Sequence, residues 1–120
     1  MTTAPRPRIL VVDDQALLRV HANLALEEAG FAVLEASDAQ EALDLLEREP
    51  KVVAVFTDVR MPGDVDGLAL AHRLRADRPE LKIVVTSGAC RIPDADLPPG
   101  GVFVAKPYTA AQITRVLGER

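Results

Sequence analysis

The sequence predicts a doubly wound α/β fold: a five-stranded parallel sheet with helices on both faces. Three observations predict it. Short apolar runs rich in β-branched residues recur along the 120 residues, and amphipathic segments of helical period separate them. The runs are near-continuously apolar rather than alternating, as expected of strands buried on both faces. Strand–helix alternation of this length makes βαβ units, which require parallel strands.

The first strand is RILVVD (8–13). QALLRVHANLALEEAG (15–30) follows, with Leu17 and Leu24 and Leu18, Ala22, Ala25 and Ala29 at helical spacing, and Gly30 placed to end the helix. FAVLEA (31–36) is the second strand. The next helix opens with Asp38 three residues before Glu41, a capping-box arrangement, and carries Ala42, Leu45 and Leu46 as its stripe. VVAVFTD (52–58) is the third strand, and DGLALAHRLRAD (66–77) a helix with Leu68, Ala71 and Leu74 inward and Pro79 beyond its end. KIVVTS (82–87) and GVFVAK (101–106) are strands four and five, and TAAQITRVLGE (109–119) is a closing helix capped by Thr109. Five such strands suit a flavodoxin-like order 2-1-3-4-5. The fourth helix is the exception. GACRIPDADLPPG (88–100) holds Pro93, Pro98, Pro99 and Gly100, which leave room for little more than one turn.

A hydrophobic share of 48% with 27% charged residues suits one globular domain that buries roughly two-thirds of its unfolded surface. The net charge of −4, with basic residues scattered, argues against a nucleic-acid partner, which needs a concentrated positive face. One Tyr, three Phe and no Trp also leave little for base stacking. The single cysteine, Cys90, excludes an internal disulfide and suits a reducing compartment. No signal peptide is visible in MTTAPRPR, and no run approaches the ~18 apolar residues of a membrane span, so a cytoplasmic protein is expected. Residues 1–7 read as a tail and 8–120 as the domain.

In a parallel sheet the C-terminal ends of all strands share one edge, and the ligand crevice forms there. Those ends carry Asp13 and Asp14, Asp58, Ser87 and Lys106. Taken alone, each has a structural explanation: acids favour a helix start, turns use Asp, and a strand-end lysine is commonly solvated. Together they pose an energetic problem. Like charges about 4 Å apart repel by roughly 1 kcal/mol in water and about 4 at an intermediate dielectric. Shifted pKa values or a bound cation would relieve this, and oxygen-only donors select a hard ion, so Mg²⁺ is the expected cofactor. Lys106 then supplies a point charge for phosphate oxygens, and Ser87 a hydrogen bond. No G-x-x-x-x-G-K-[ST] loop is present to bind a nucleotide. What remains is a carboxylate that accepts a phosphoryl group, and Asp58, on the central strand, is the best nucleophile.

The segments ILVVDD, TDVRMPGDVDG, VVTSG and AKPY, in this order and spacing, resemble the receiver domain of bacterial two-component response regulators. The resemblance covers about residues 8 to 118. It implies that Asp58 is the phosphoacceptor, Asp14 a direct Mg²⁺ ligand, Asp13 a ligand acting largely through water, and the backbone carbonyl of Arg60 a third protein ligand. It further implies Ser87 as the switch hydroxyl, Lys106 as the phosphate-pairing lysine, and Phe103 as the switch aromatic where Tyr is common. Thr86 is the rival for the switch position; Ser87 is preferred because the small Gly88 follows it. The Lys106–Pro107 bond is often cis in the family, and an X-Pro bond permits this.

The expected function is a stand-alone receiver, a phosphorylation-driven switch and not a metabolic enzyme. A histidine kinase or phosphotransfer protein would donate the phosphoryl group to Asp58. The new dianion would draw Ser87 and Lys106 inward and let Phe103 reorient, shifting a two-state equilibrium toward an unidentified downstream protein. A monomer or weak dimer is expected, with no direct nucleic-acid or membrane contact. A phosphorylation-independent interaction module on the same fold is the alternative. A Mg²⁺-dependent phosphatase is disfavoured, because Arg60 stands where such enzymes carry a second acid. Two departures from the family pattern stand out. MPGDVDG is one residue longer than the usual Met-Pro-x-x-Asp-Gly spacing, which expands the loop beside Asp58. RIPDADLPPGG replaces the fourth helix and with it part of the usual output face. Arg60 is expected to overhang the site and slow or reshape access of the hydrolytic water. His21 and His72 share no metal-type spacing with each other or with Cys90 and are expected as surface or boundary residues. Asp64 and Asp66 are expected as loop and helix-start acids, and Tyr108 as a packing residue.

Overall fold

A computed structural model describes residues 6–59, 66–88 and 91–117. Its elements in chain order are β1 (Arg8–Val12), α1 (Ala16–Glu28), β2 (Ala32–Ala36), α2 (Ala39–Arg48), β3 (Val52–Asp58), α3 (Gly67–Asp77), β4 (Lys82–Ser87), β5 (Val102–Ala105) and α4 (Ala110–Leu117). The strands form one parallel sheet in the order β2-β1-β3-β4-β5, as expected. Alternate residues of the inner strands feed two cores. Leu10, Val12, Val55, Ile83 and Val85 pack with α2 and α3 on one face. Ile9, Val11, Ala54, Phe56 and Val84 pack with α1 and α4 on the other. Both faces are therefore covered, which explains why these strands read as unbroken apolar runs.

The helix ends follow local chemistry. At the end of α1, Gly30 takes φ +102°, a conformation that L side chains rarely adopt. Its N–H donates to the Glu27 carbonyl at 3.0 Å and the Phe31 N–H to that of Leu26 at 3.1 Å, a Schellman motif. Asp38 caps α2 by accepting from the Glu41 N–H at 2.8 Å. Glu41 reaches back to the N–H of Ser37, one residue earlier than a capping box requires, and accepts the Ser37 hydroxyl as well. These two bonds hold its carboxyl below the usual carboxylate range. Asp66 caps α3 through the Ala69 N–H, and Thr109 and Gln112 cap α4 reciprocally.

Two expectations about burial need correction. Leu17 and Leu24, placed on the apolar stripe of α1, are 84% and 63% exposed. Leu26 is fully buried instead, since the face toward the sheet is centred on Ala22, Ala25 and Leu26. On α3, Leu68 is only half-buried and Leu70 joins Ala71 and Leu74 in the core. Where a helix between β4 and β5 was in doubt, the described residues form a single 3₁₀ turn, Asp94–Asp96. Ile92 and Leu97 of this segment plug the core beside α2 and α3.

Candidate phosphoryl-acceptor site

Register delivers the site. Asp13 follows β1, and its N–H still donates to the Ala36 carbonyl of β2 at 3.1 Å. Asp58 ends β3 and stands opposite Thr86 of β4. Ser87 ends β4, buried, and its carbonyl accepts the Lys106 N–H at 3.1 Å, which carries the chain one residue past β5. The Lys106–Pro107 peptide is cis.

These backbones converge their side chains. The Lys106 ammonium lies 2.6 Å from Asp13 Oδ2 and 3.1 Å from Asp58 Oδ1, bridging β1 and β3 from beyond β5. Asp13 Oδ1 also accepts the Gln15 N–H at 3.0 Å. Asp14 sits exposed at the rim, and carboxylate oxygens of Asp13, Asp14 and Asp58 all lie within 4.8 Å of one another. Burial pushes the Asp58 carboxyl above its ordinary range; the charges of Asp13 and Asp14 add to this, against the opposing pull of Lys106. Burial pushes the Lys106 ammonium down, but its bonds to Asp13 and Asp58 outweigh that and hold it up. Lys106 therefore stays protonated, yet one ammonium against three carboxylates leaves the cluster short of positive charge. An all-oxygen donor set with excess negative charge fits a hard divalent cation such as Mg²⁺.

The remaining expected residues fall at varied distances from this centre. Thr86 is buried within β4, and its hydroxyl lies 3.4 Å from the Thr57 carbonyl. Phe103 is half-buried on β5 opposite Val85, with the Arg91 guanidinium 5.7 Å from its ring centroid. Tyr108 packs in the core against Phe56, ring centroids 5.4 Å apart, and burial, aided by the Asp13 charge, raises its phenol pKa. His21 is exposed; His72 is exposed but bonds the Asp96 carbonyl through Nε2 at 2.8 Å. Arg60, the extra loop residue in MPGDVDG, Asp64 and Cys90 lie outside the described residues.

Gly67 had drawn no functional expectation. Its N–H donates to the Val59 carbonyl at 2.9 Å, and a β-carbon there would overlap the Asp58 carbonyl oxygen. The glycine lets the start of α3 pack directly on the backbone of the central acid. An Asp cap followed by Gly was the available signal for such a close approach. An apolar cavity of about 470 Å³ opens beside the cluster, lined by Val11, Leu18, Ala22, Pro107 and Tyr108 among others. Next to it Leu17, Val20 and Leu24 form an exposed apolar stripe along α1.

The model of the response regulator receiver domain matches residues 9–117. The transcriptional regulatory protein FixJ of Bradyrhizobium diazoefficiens is 36% identical over 122 residues, which cover 98% of this chain and 57% of FixJ. The response regulator receiver protein CpdR of Brucella abortus is 34% identical over 104 residues, covering 84% of this chain and 85% of CpdR. Among solved structures, the receiver domain of NtrX from Brucella abortus superposes with a TM-score of 0.80 at 32% identity, covering 91% of this chain and 93% of that one.

Proposed function

The chain belongs to the response regulator receiver family, and we propose that Asp58 is the carboxylate on which its phosphorylation-dependent signalling turns. The observation that carries this is the Lys106 ammonium bridging Asp13 and Asp58 within a cluster of three carboxylates. Asp13, Asp14 and Asp58, with the backbone carbonyl of Arg60, would hold Mg²⁺. When bound, the ion supplies charge neutralisation for phosphoryl oxygens. An Asp58 oxygen attacks the phosphorus of a phosphohistidine on a histidine kinase or phosphotransfer protein. A P–O bond forms, the P–N bond breaks, and the imidazole nitrogen keeps its electron pair. Lys106 turns from the Asp58 carboxylate to a phosphoryl oxygen while remaining tied to Asp13. Ser87 donates to a second phosphoryl oxygen, and Phe103 reorients on β5 as the switch aromatic. Water later cleaves the acyl phosphate, with Arg60 limiting its approach. The chain is thus a signalling domain whose only chemistry is its own phosphorylation and dephosphorylation.

The α1 stripe of Leu17, Val20 and Leu24 supports docking of the phosphodonor protein beside the cluster, because exposed apolar side chains in a contiguous row favour burial by a partner. Output passes by protein contact to a downstream target. Among the described residues no helix is long and apolar enough to cross a membrane, and a cytoplasmic setting suits the lone cysteine. The test is incubation with acetyl phosphate and Mg²⁺, read by intact mass. The wild-type chain should gain one phosphoryl group, and neither Asp58→Asn nor the Mg²⁺-free sample should gain it. A silent wild-type chain overturns the proposal in favour of a phosphorylation-independent module.

A further inference from the structure

The acid pair is held unequally. Asp13 is fixed by its own contacts, to Lys106, to the Gln15 N–H and through its own N–H to Ala36. Asp14 is exposed and its carboxylate has no hydrogen bond among the described residues, so its placement depends on the peptide joining it to Asp13. The carbonyl of that peptide accepts a hydrogen bond from Arg19 Nη1 at 2.6 Å. Arg19 Nε donates to Glu35 Oε1 of β2 at 3.0 Å, and the other oxygen of Glu35 accepts from Asn23 Nδ2 at 2.6 Å. One rigid guanidinium plane thus spans from a braced carboxylate to the backbone between the two acids. A tie between α1 and β2 would need the Arg19–Glu35 pair alone; the additional bond to the Asp13 carbonyl is what reaches the site.

We infer that Arg19, braced by Glu35 and Asn23, is a positioning residue for the divalent cation: it holds the Asp13–Asp14 peptide so that the Asp14 carboxylate is presented to the ion. This rests on the reading that Asp13, Asp14 and Asp58 hold Mg²⁺. Groups that orient ligands from behind typically change metal affinity by about 10- to 100-fold when removed. The full chain and its Arg19→Met, Arg19→Lys, Glu35→Gln and Arg8→Met variants would be titrated with Mg²⁺, following ¹H–¹⁵N shifts. Arg19→Met should weaken Mg²⁺ binding about tenfold, at the lower end of that range. Arg19→Lys should recover part of the loss, since an ammonium lacks the fork that spans both acceptors, and Glu35→Gln should lose less than Arg19→Met. Arg8→Met, which breaks an exposed pair with Glu49, should leave affinity unchanged. In the ion-free protein the Asp13 carbonyl ¹³C shift should move in Arg19→Met and stay put in Arg8→Met. An Arg19→Met affinity within twofold of wild type overturns the inference, as does an equal loss in Arg8→Met. Should Arg19→Met not fold, wild-type affinity in both Arg19→Lys and Glu35→Gln overturns it equally. A wild-type chain that does not bind Mg²⁺ sinks the site reading itself, a different result from a wild-type chain that binds and variants that match it.

Discussion

At the C-terminal edge of the sheet the Lys106 ammonium pairs with two of three clustered carboxylates, whereas polar side chains of α3 find backbone carbonyl partners in the turn before β4 and in the segment between β4 and β5. Arg75 of α3 donates to the carbonyls of Pro79, Leu81 and Pro99, each at 2.7 Å, and approaches that of Arg78 at 3.4 Å. His72, one helical turn earlier, bonds the Asp96 carbonyl. The segment that replaces a fourth helix is therefore pinned to α3 by side chains, and Ile92 and Leu97 anchor it from within. The contrast teaches where change can be driven. A polar network tied to several backbone carbonyls resists rearrangement, while an unbalanced charge cluster responds to a cation or a phosphoryl group.

The sharpest way to break this division is at Gly67, where the two regions meet through α3. Gly67→Ala forces a β-carbon into the Asp58 carbonyl. It should cost about 3 kcal/mol or more in urea unfolding and reduce phosphorylation as well. Wild-type stability in that variant would remove Gly67 as the contact between helix and site. Arg75→Ala should cost about 2–3 kcal/mol, because it strips several carbonyls of a charged donor. Acetyl-phosphate labelling of Asp58 should continue at the wild-type rate, and a large fall in that rate would merge the two regions into one.

A smaller effect of opposite sign is expected at the cluster. Because the Asp58 carboxyl is raised by burial in the folded state, the folded chain holds its proton more tightly than the unfolded chain. Ionised Asp58 therefore reduces stability near pH 7, and this cost fades as pH falls through the raised value toward the ordinary carboxylate range. Asp58→Asn should then melt slightly higher than wild type at pH 7 without Mg²⁺. Its advantage should narrow on acidification, and added Mg²⁺ should narrow it too by stabilising the wild type. A lower melting temperature at pH 7 would mean that the Lys106 pair dominates. Least of all, Arg91→Ala removes the guanidinium over Phe103 and should cost under about 1 kcal/mol in the same unfolding experiment.

The sequence by itself determined the strands and the candidate acids, because these depend on local period and residue type, and the βαβ alternation then suited the observed strand order. An apolar run of β-branched residues has few alternatives to a buried strand, and Asp13, Asp14, Asp58 and Lys106 follow or end such runs. Gly30, Asp38, Asp66 and Thr109 ended and capped helices as their chemistry dictates. The prolines of residues 93–99 ruled out a full helix before any packing was considered. Tertiary structure alone decided which flank of α1 meets the sheet, which is why Leu26 is buried and Leu17 and Leu24 are not. It also decided that Gly67 touches Asp58, that Arg75 clasps Pro99, and that Arg19 bonds the Asp13 carbonyl. Such contacts join side chains to backbone groups on other elements, and neither period nor propensity encodes them. They appear only when the helices settle on the sheet.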